Sequence, residues 1–99
     1  MSGHPYLGAF HFDGDPSQLL PAYHRMLDRF RIDALEVHLC IVREDGLTVF
    51  DACPTKADYE QFTGSDMFRD AVTSAGLPAP RIEGLGDVRV AHLGKEIGP

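Results

Sequence analysis

The chain has 99 residues, an apolar fraction of 43% and a formal net charge of −6 at pH 7. This length fits a single domain, and the acidic balance lacks the basic surface that nucleic-acid or membrane-surface binding requires. No apolar stretch approaches the roughly 20 residues of a membrane span, and the first residues lack the regions of a signal peptide. We therefore expect one cytoplasmic domain over residues 1–99, with no nucleic acid and no membrane as partner.

Residues 6–12 are aromatic-rich and end in the turn-forming residues 13–16, which predicts a strand and then a loop. Over residues 17–30 the pattern changes to helical spacing, carried by Leu19, Tyr23, Met26, Leu27 and Phe30. Pro21 lies inside this run. With Ser17 as the N-cap, Pro21 falls at the end of the first turn, where a missing N–H costs least. A helix that starts at Pro21 itself is the alternative.

Residues 34–43 and 47–53 are rich in strand formers and flank Asp45-Gly46, which predicts a hairpin. A two-residue loop at Asp45-Gly46 places His38 opposite Cys53. One face of this hairpin is the more apolar, and we expect it to pack on the helices: Val37, Leu39, Ile41, Phe50 and Ala52. The other face is more polar: His38, Cys40, Val42, Val49, Asp51 and Cys53.

The second half of the chain begins with a helix that Thr55 is predicted to cap. Residues 64–66 are predicted to interrupt this helix, with Ser65 or Asp66 capping its continuation, and Gly76 to end it in a left-handed cap. The last strand is predicted to begin at Ile82 and is clearest over residues 88–93, before a loose tail at 94–99. The order strand, helix, strand, strand, helix, strand is that of the α+β ferredoxin-like fold, with a four-stranded antiparallel sheet. A second subunit commonly covers the open face of such a sheet.

Three stretches of the chain, at residues 37–40 (VHLC), 44–47 (EDGL) and 50–62 (FDACPTKADYEQF), resemble the dimeric α/β-barrel superfamily, which includes antibiotic-biosynthesis-monooxygenase-like proteins and uncharacterised bacterial relatives. Residues 75–78 (AGLP) also fit. The resemblance implies a ferredoxin-like homodimer, and an activity among oxygenation, isomerisation and cyclisation. Many members carry Trp at the junction of the third strand and second helix, where this chain has Cys53-Pro54 and no Trp at all.

The polar face of the hairpin is the first candidate site. An imidazole beside a thiol lowers the thiol's pKa, so His38 next to Cys53 would make a nucleophile, with Asp51 orienting the pair. The alternative is that Cys40 and Cys53 are small buried residues and that His38 forms a hydrogen bond at a dimer interface. Because Cys40 and Cys53 lie diagonally in this register, we expect no disulfide between them.

Histidines on three strands form the second candidate. His11 and His92 are predicted to point to the same side of the sheet as His38, so that the three ring one cavity. Such a set suits zinc or nickel, but no compact ligand motif is present, so we assign no metal and no cofactor. The histidines are also the natural acid–base groups near neutral pH.

These patterns lead to one functional hypothesis and its rivals. We predict a small homodimeric enzyme without a cofactor that binds a hydrophobic or aromatic metabolite between sheet and helices. The alternatives are a non-catalytic dimer that binds a metal or small ligand at the His/Cys face, and a structural or regulatory dimer. The candidate catalytic residues are His38, His92, Asp51 and Cys53, and the candidate binding residues are His11, Phe10, Phe12, Tyr23, Phe50, Phe62 and Phe68.

Overall fold

A computed structural model describes residues 4–30, 35–94 and 97. These residues form the strands β1 (Tyr6–Asp13), β2 (Val37–Arg43), β3 (Gly46–Cys53) and β4 (Arg81–Asp87), and the helices α1 (Pro16–Leu27), α2 (Lys56–Thr63) and α3 (Asp66–Ala75). The strands pair antiparallel in one sheet, in the order β2-β3-β1-β4. This is the predicted ferredoxin-like α+β fold, with its second helix in two pieces. None of the helices in the described part of the chain is long and apolar enough to cross a membrane.

Helix α1 begins earlier than either predicted start. Asp15 is its N-cap, and the carboxylate accepts hydrogen bonds from the backbone N–H and the hydroxyl of Ser17 at 3.0 and 2.9 Å. Pro16 fills the first helical position, where a residue without an N–H loses nothing. Ser17 is therefore a capped residue and not the cap, and Pro21 lies within the helix.

The predicted caps of the second helical region are confirmed. The Thr55 hydroxyl accepts a hydrogen bond from the N–H of Asp58, and the Ser65 hydroxyl accepts one from the N–H of Phe68, each at 3.1 Å. Gly76 ends α3 in the left-handed conformation, with φ of 87°. These signals are local, since each depends on residues within a few positions, and sequence spacing is sufficient to place them.

The predicted hairpin turn is wrong by one position on each strand. Arg43 pairs with Gly46, which leaves Glu44 and Asp45 as the loop, and His38 lies opposite Asp51 instead of Cys53. The register therefore slips by two residues, which keeps each side chain on its predicted face. Gly46 does not have a positive φ. A Cβ there would lie 2.1 Å from the backbone oxygen of Phe12, so this glycine allows β1 to approach.

The prediction of which face packs on the helices is also wrong. The helix side of the sheet carries Phe10, Phe12, Leu47 and Val49, all in the buried core, together with His38 and Asp51. The open side includes Leu39 and Ile41, which are 47% and 45% exposed. The central strand β1 decides the matter, because its two phenylalanines, Phe10 and Phe12, lie on the His38 face. Because β1 lies outside the hairpin, the hairpin sequence alone does not predict which face packs on the helices.

The last strand, β4, spans residues 81–87 and ends where residues 88–93 were predicted to be its clearest part. The N–H of Val88 donates a final hydrogen bond to the oxygen of Pro5 at 2.7 Å. Because β1 begins at Tyr6 and Pro5 has no N–H, the ladder cannot continue past this point. Val88 and residues 90–93 instead line a groove on the open side of the sheet, together with Leu7 and Phe50. The predicted tail, residues 94–99, falls largely outside the described residues.

Candidate functional site

A cavity of about 270 Å³ lies between the helix side of the sheet and the helices. Its walls are apolar side chains from the sheet, from the three helices and from residues between α1 and β2: Phe10, Phe12, Met26, Leu27, Phe30, Leu35, Val49, Phe62 and Phe68. The aromatic rings contact one another, with centroids 5.0 Å apart for Phe62 and Phe68 and 5.3 Å apart for Phe10 and Phe68. Two polar side chains, His38 and Asp51, also line the cavity.

His38 and Asp51 are joined directly across the β2–β3 ladder. Partners in an antiparallel pair present their side chains to the same face, so residues 38 and 51 meet on the helix side. The distance from His38 Nδ1 to Asp51 Oδ1 is 2.5 Å. The two side chains are 14% and 11% exposed. A carboxylate so far from water needs a hydrogen-bond donor, and His38 supplies it.

The second nitrogen of His38 contacts Tyr23 on α1. The distance from the Tyr23 hydroxyl to Nε2 is 2.5 Å, and the rings are parallel within 4° with centroids 6.0 Å apart. Burial raises the pKa of Tyr23 far above its usual value, and the nearby Cys40 and Asp51 raise it further. Tyr23 therefore keeps its proton at neutral pH. Asp51, His38 and Tyr23 form a continuous chain of hydrogen bonds, which we call the polar chain.

The predicted thiol nucleophile is not formed. Cys53 pairs with Tyr6 and not with His38, because of the two-residue slip in the hairpin. Burial raises the pKa of the Cys53 thiol, and the carboxylates of Asp51 and Asp58 add to the shift, so the thiol stays protonated. Burial also raises the pKa of Cys40. Both cysteines are free, as expected.

The three histidines do not surround one cavity. His11 is on the opposite side of the sheet from His38, where its ring contacts the Thr48 hydroxyl at 3.0 Å and Glu83 at 3.1 Å. His92 belongs to the segment after β4 and lines the groove on the open side of the sheet. The prediction that they converge is wrong because His92 follows the end of β4 and the helix side belongs to the even-numbered residues of β1. Across the described ranges, no three His, Cys, Asp or Glu side chains are grouped as metal ligands.

The predicted binding residues divide between the two sides of the sheet. Phe10, Phe12, Phe62 and Phe68 line the cavity, and Tyr23 reaches it through His38. His11 and Phe50 lie on the open side, in agreement with the reversal of the faces. The sequence prediction missed five lining residues: Met26, Leu27, Phe30, Leu35 and Val49. The helical spacing that predicted α1 already contains the first three of these residues, but nothing in that spacing distinguishes a cavity wall from a filled core.

We compared the chain with protein-family models, with curated proteins and with solved structures, and none of the three comparisons found a match. The similarity to the dimeric α/β-barrel superfamily therefore stays a prediction. The function has to be inferred from the cavity and its polar chain.

Proposed function

We propose that this protein is a small homodimeric enzyme that acts without a cofactor on a hydrophobic or aromatic metabolite, with the His38–Asp51 pair handling a proton. The observation that carries this proposal is the position of the pair, since it is the polar part of an otherwise apolar wall. Apolar concave sites with a few convergent polar groups are the usual form of small-molecule sites. A histidine held by a carboxylate is a common acid–base unit.

The reaction classes that fit are those in which a proton is moved, because an imidazole and a carboxylate are the polar groups in the described part of the wall. Isomerisation and cyclisation need a group that removes a proton and returns it, and cofactor-independent oxygenation needs a group that removes one. In each case the apolar walls would hold the ring of the substrate, and the pair would face the acidic position. A well-placed acid–base group contributes a factor of about 10² to 10⁴ in rate.

Binding in the cavity is tested by titrating ¹⁵N-labelled protein with a library of mono- and bicyclic aromatic fragments. We expect the amide signals of Phe10, Phe12 and Val49 to shift, because these residues line the cavity. The variant Val49→Phe fills the cavity and should abolish the shifts. Phe50→Leu is the matched control, since residue 50 follows directly in β3 but faces the open side. If only the amide signals of residues in the open groove shift, the fragments bind in that groove and not in the cavity.

Catalysis is tested with the fragments that bind, by following deuterium uptake at carbon in D₂O with mass spectrometry. We expect catalysed exchange for at least one fragment, and a loss of about 100-fold in His38→Gln, which keeps a donor toward Asp51. Binding without any exchange would favour a second function, a non-catalytic ligand-binding dimer. That alternative has an observation of its own, because both ring nitrogens of His38 already have partners.

The homodimer is proposed from the open side of the sheet. Leu39 and Ile41 leave nearly half of their surface exposed there, and apolar patches of this kind mark association sites. A twofold axis would place the same patch on both subunits. We expect Leu39→Glu with Ile41→Glu to convert a dimer into a monomer in sedimentation velocity, while Met67→Glu, at an exposed methionine on α3, leaves it unchanged. A wild-type monomer would contradict this interface. The cavity lies on the other side of the sheet, so the monomeric variant should still bind fragments.

A further inference from the structure

The polar chain occupies both nitrogens of the His38 ring. Asp51 Oδ1 lies 2.5 Å from Nδ1, and the Tyr23 hydroxyl lies 2.5 Å from Nε2. A neutral imidazole carries one N–H and one acceptor nitrogen, so the hydrogen on one neighbour fixes which nitrogen is protonated. The positions of the hydrogens in this chain therefore determine what the cavity offers to a ligand.

Both neighbours of His38 favour the same arrangement, since the Asp51 carboxylate accepts a hydrogen bond from Nδ1 and the Tyr23 hydroxyl donates one to Nε2. The buried phenol of Tyr23 keeps its proton at neutral pH, since burial raises its pKa, and it can donate that proton to Nε2. The ring proton of His38 is then on Nδ1, where Asp51 accepts it. Both hydrogen-bond donors of the polar chain, the Tyr23 hydroxyl and the Nδ1–H of His38, donate to partners within the polar chain. A ligand in the cavity therefore meets a hydrogen-bond acceptor, the carboxylate of Asp51, which forms part of the cavity wall.

The described part of the wall offers no positive charge. Among the residues that the structure describes, those that line the cavity include neither Lys nor Arg. An anionic ligand would meet the buried carboxylate of Asp51, and close like charges away from water are strongly unfavourable. A ligand with an O–H or N–H, in contrast, would satisfy the acceptor.

We infer that Tyr23 is a positioning residue that, together with Asp51, holds His38 with its proton on Nδ1, and that the cavity therefore takes a hydrophobic molecule carrying a hydrogen-bond donor and rejects anions. The ligand class rests on the proposed function, because it requires that the cavity bind a small molecule at all. The small volume, about 270 Å³, fits a mono- or bicyclic ring system better than a larger one.

The tautomer is tested on the full chain without any ligand. Long-range ¹H–¹⁵N spectra at neutral pH, assigned with His38→Gln, should show Nδ1 protonated and Nε2 as an acceptor. Tyr23→Phe should shift the Nε2 signal, because Nε2 loses its hydrogen-bond donor, while Asp51 keeps the proton on Nδ1. Tyr6→Phe, at a tyrosine that contacts Tyr59 instead, should leave the ring signals unchanged. A doubly protonated ring in the wild type, or a spectrum that Tyr23→Phe does not alter, would overturn the positioning role.

The ligand class is tested with three probes that share one ring system: 2-naphthol, 2-methoxynaphthalene and 2-naphthoate. We expect 2-naphthol to bind about tenfold or more tightly than either of the others in amide-shift titrations, because a hydrogen bond to a charged group is worth more than 1.4 kcal/mol. Asp51→Asn should remove most of this preference.

The results with these probes distinguish a wrong ligand class from a wrong proposed function. Equal binding of 2-naphthol and 2-naphthoate would overturn the ligand class and leave the cavity as a binding site. If no probe bound, the proposed function would fail, and the ligand class with it, even if the ring spectra showed the fixed tautomer.

Discussion

Replacing His38 with alanine is expected to lower the free energy of unfolding by about 3 kcal/mol at neutral pH, because it leaves the buried carboxylate of Asp51 without its hydrogen-bond donor. The carboxylate of Asp51 would remain on the helix side of the sheet, among aromatic side chains, without its donor. Chemical denaturation followed by far-ultraviolet circular dichroism measures this change. His24→Ala is the control, because His24 is an exposed residue of α1 and its loss should change stability by no more than about 0.5 kcal/mol.

The double variant His38→Ala with Asp51→Asn distinguishes a buried charge from a merely lost contact. If the penalty comes from the stranded carboxylate, the second change should recover most of the stability lost in the first. If the two changes add, the pair contributes through packing alone, and the electrostatic account of the site is wrong.

A buried pair of this kind contributes little to stability when it is intact, since desolvation offsets most of the attraction. Two apolar residues could fill the same positions in the ladder at no cost to the fold. The presence of His38 and Asp51 beside an apolar cavity is therefore better explained by chemistry than by folding, which is why the site is placed there and not at the histidines of the open side. His11 is already engaged by Thr48 and Glu83 on that side.

Local signals predicted the order of elements and most of their ends. Thr55, Ser65 and Gly76 each act on residues within one helical turn. Thr55 and Gly76 are confirmed, and Ser65 is the cap of the two that were predicted. The start of α1 was missed because two capping residues, Asp15 and Ser17, compete on either side of Pro16. The position of the proline favours Asp15, which is a local fact that the spacing of apolar residues does not contain.

Non-local pairing is where sequence reasoning failed. The prediction of which hairpin face packs on the helices uses only the residues of the hairpin. In the structure, β1 brings Phe10 and Phe12 to the face that carries His38. The register depended on the same strand, because Gly46 was interpreted as a turn residue when its role is to admit β1. A correct register would have paired His38 with Asp51 from the sequence alone, and the polar chain would then have lacked only Tyr23.

Replacing Gly46 with alanine is the second change with a large expected effect. The new Cβ would lie 2.1 Å from the backbone oxygen of Phe12, and backbone in the centre of a sheet cannot move aside as a side chain can. We expect the free energy of unfolding to fall by about 3 kcal/mol, the upper part of the range for overpacking. Gly94→Ala is the matched control, since a Cβ there meets nothing within 4 Å, and its unfolding midpoint should stay close to that of the wild type.

The variant Gly46→Asn decides why the glycine is needed. In a turn that required positive φ at residue 46, asparagine would be tolerated nearly as well as glycine, because it enters the left-handed region readily. Where the reason is the approach of β1, asparagine is as damaging as alanine, since any Cβ meets the same oxygen. We therefore expect both variants to lose similar stability. A well-tolerated asparagine would restore the Asp45-Gly46 turn, place His38 opposite Cys53 again, and remove the pairing on which the polar chain depends.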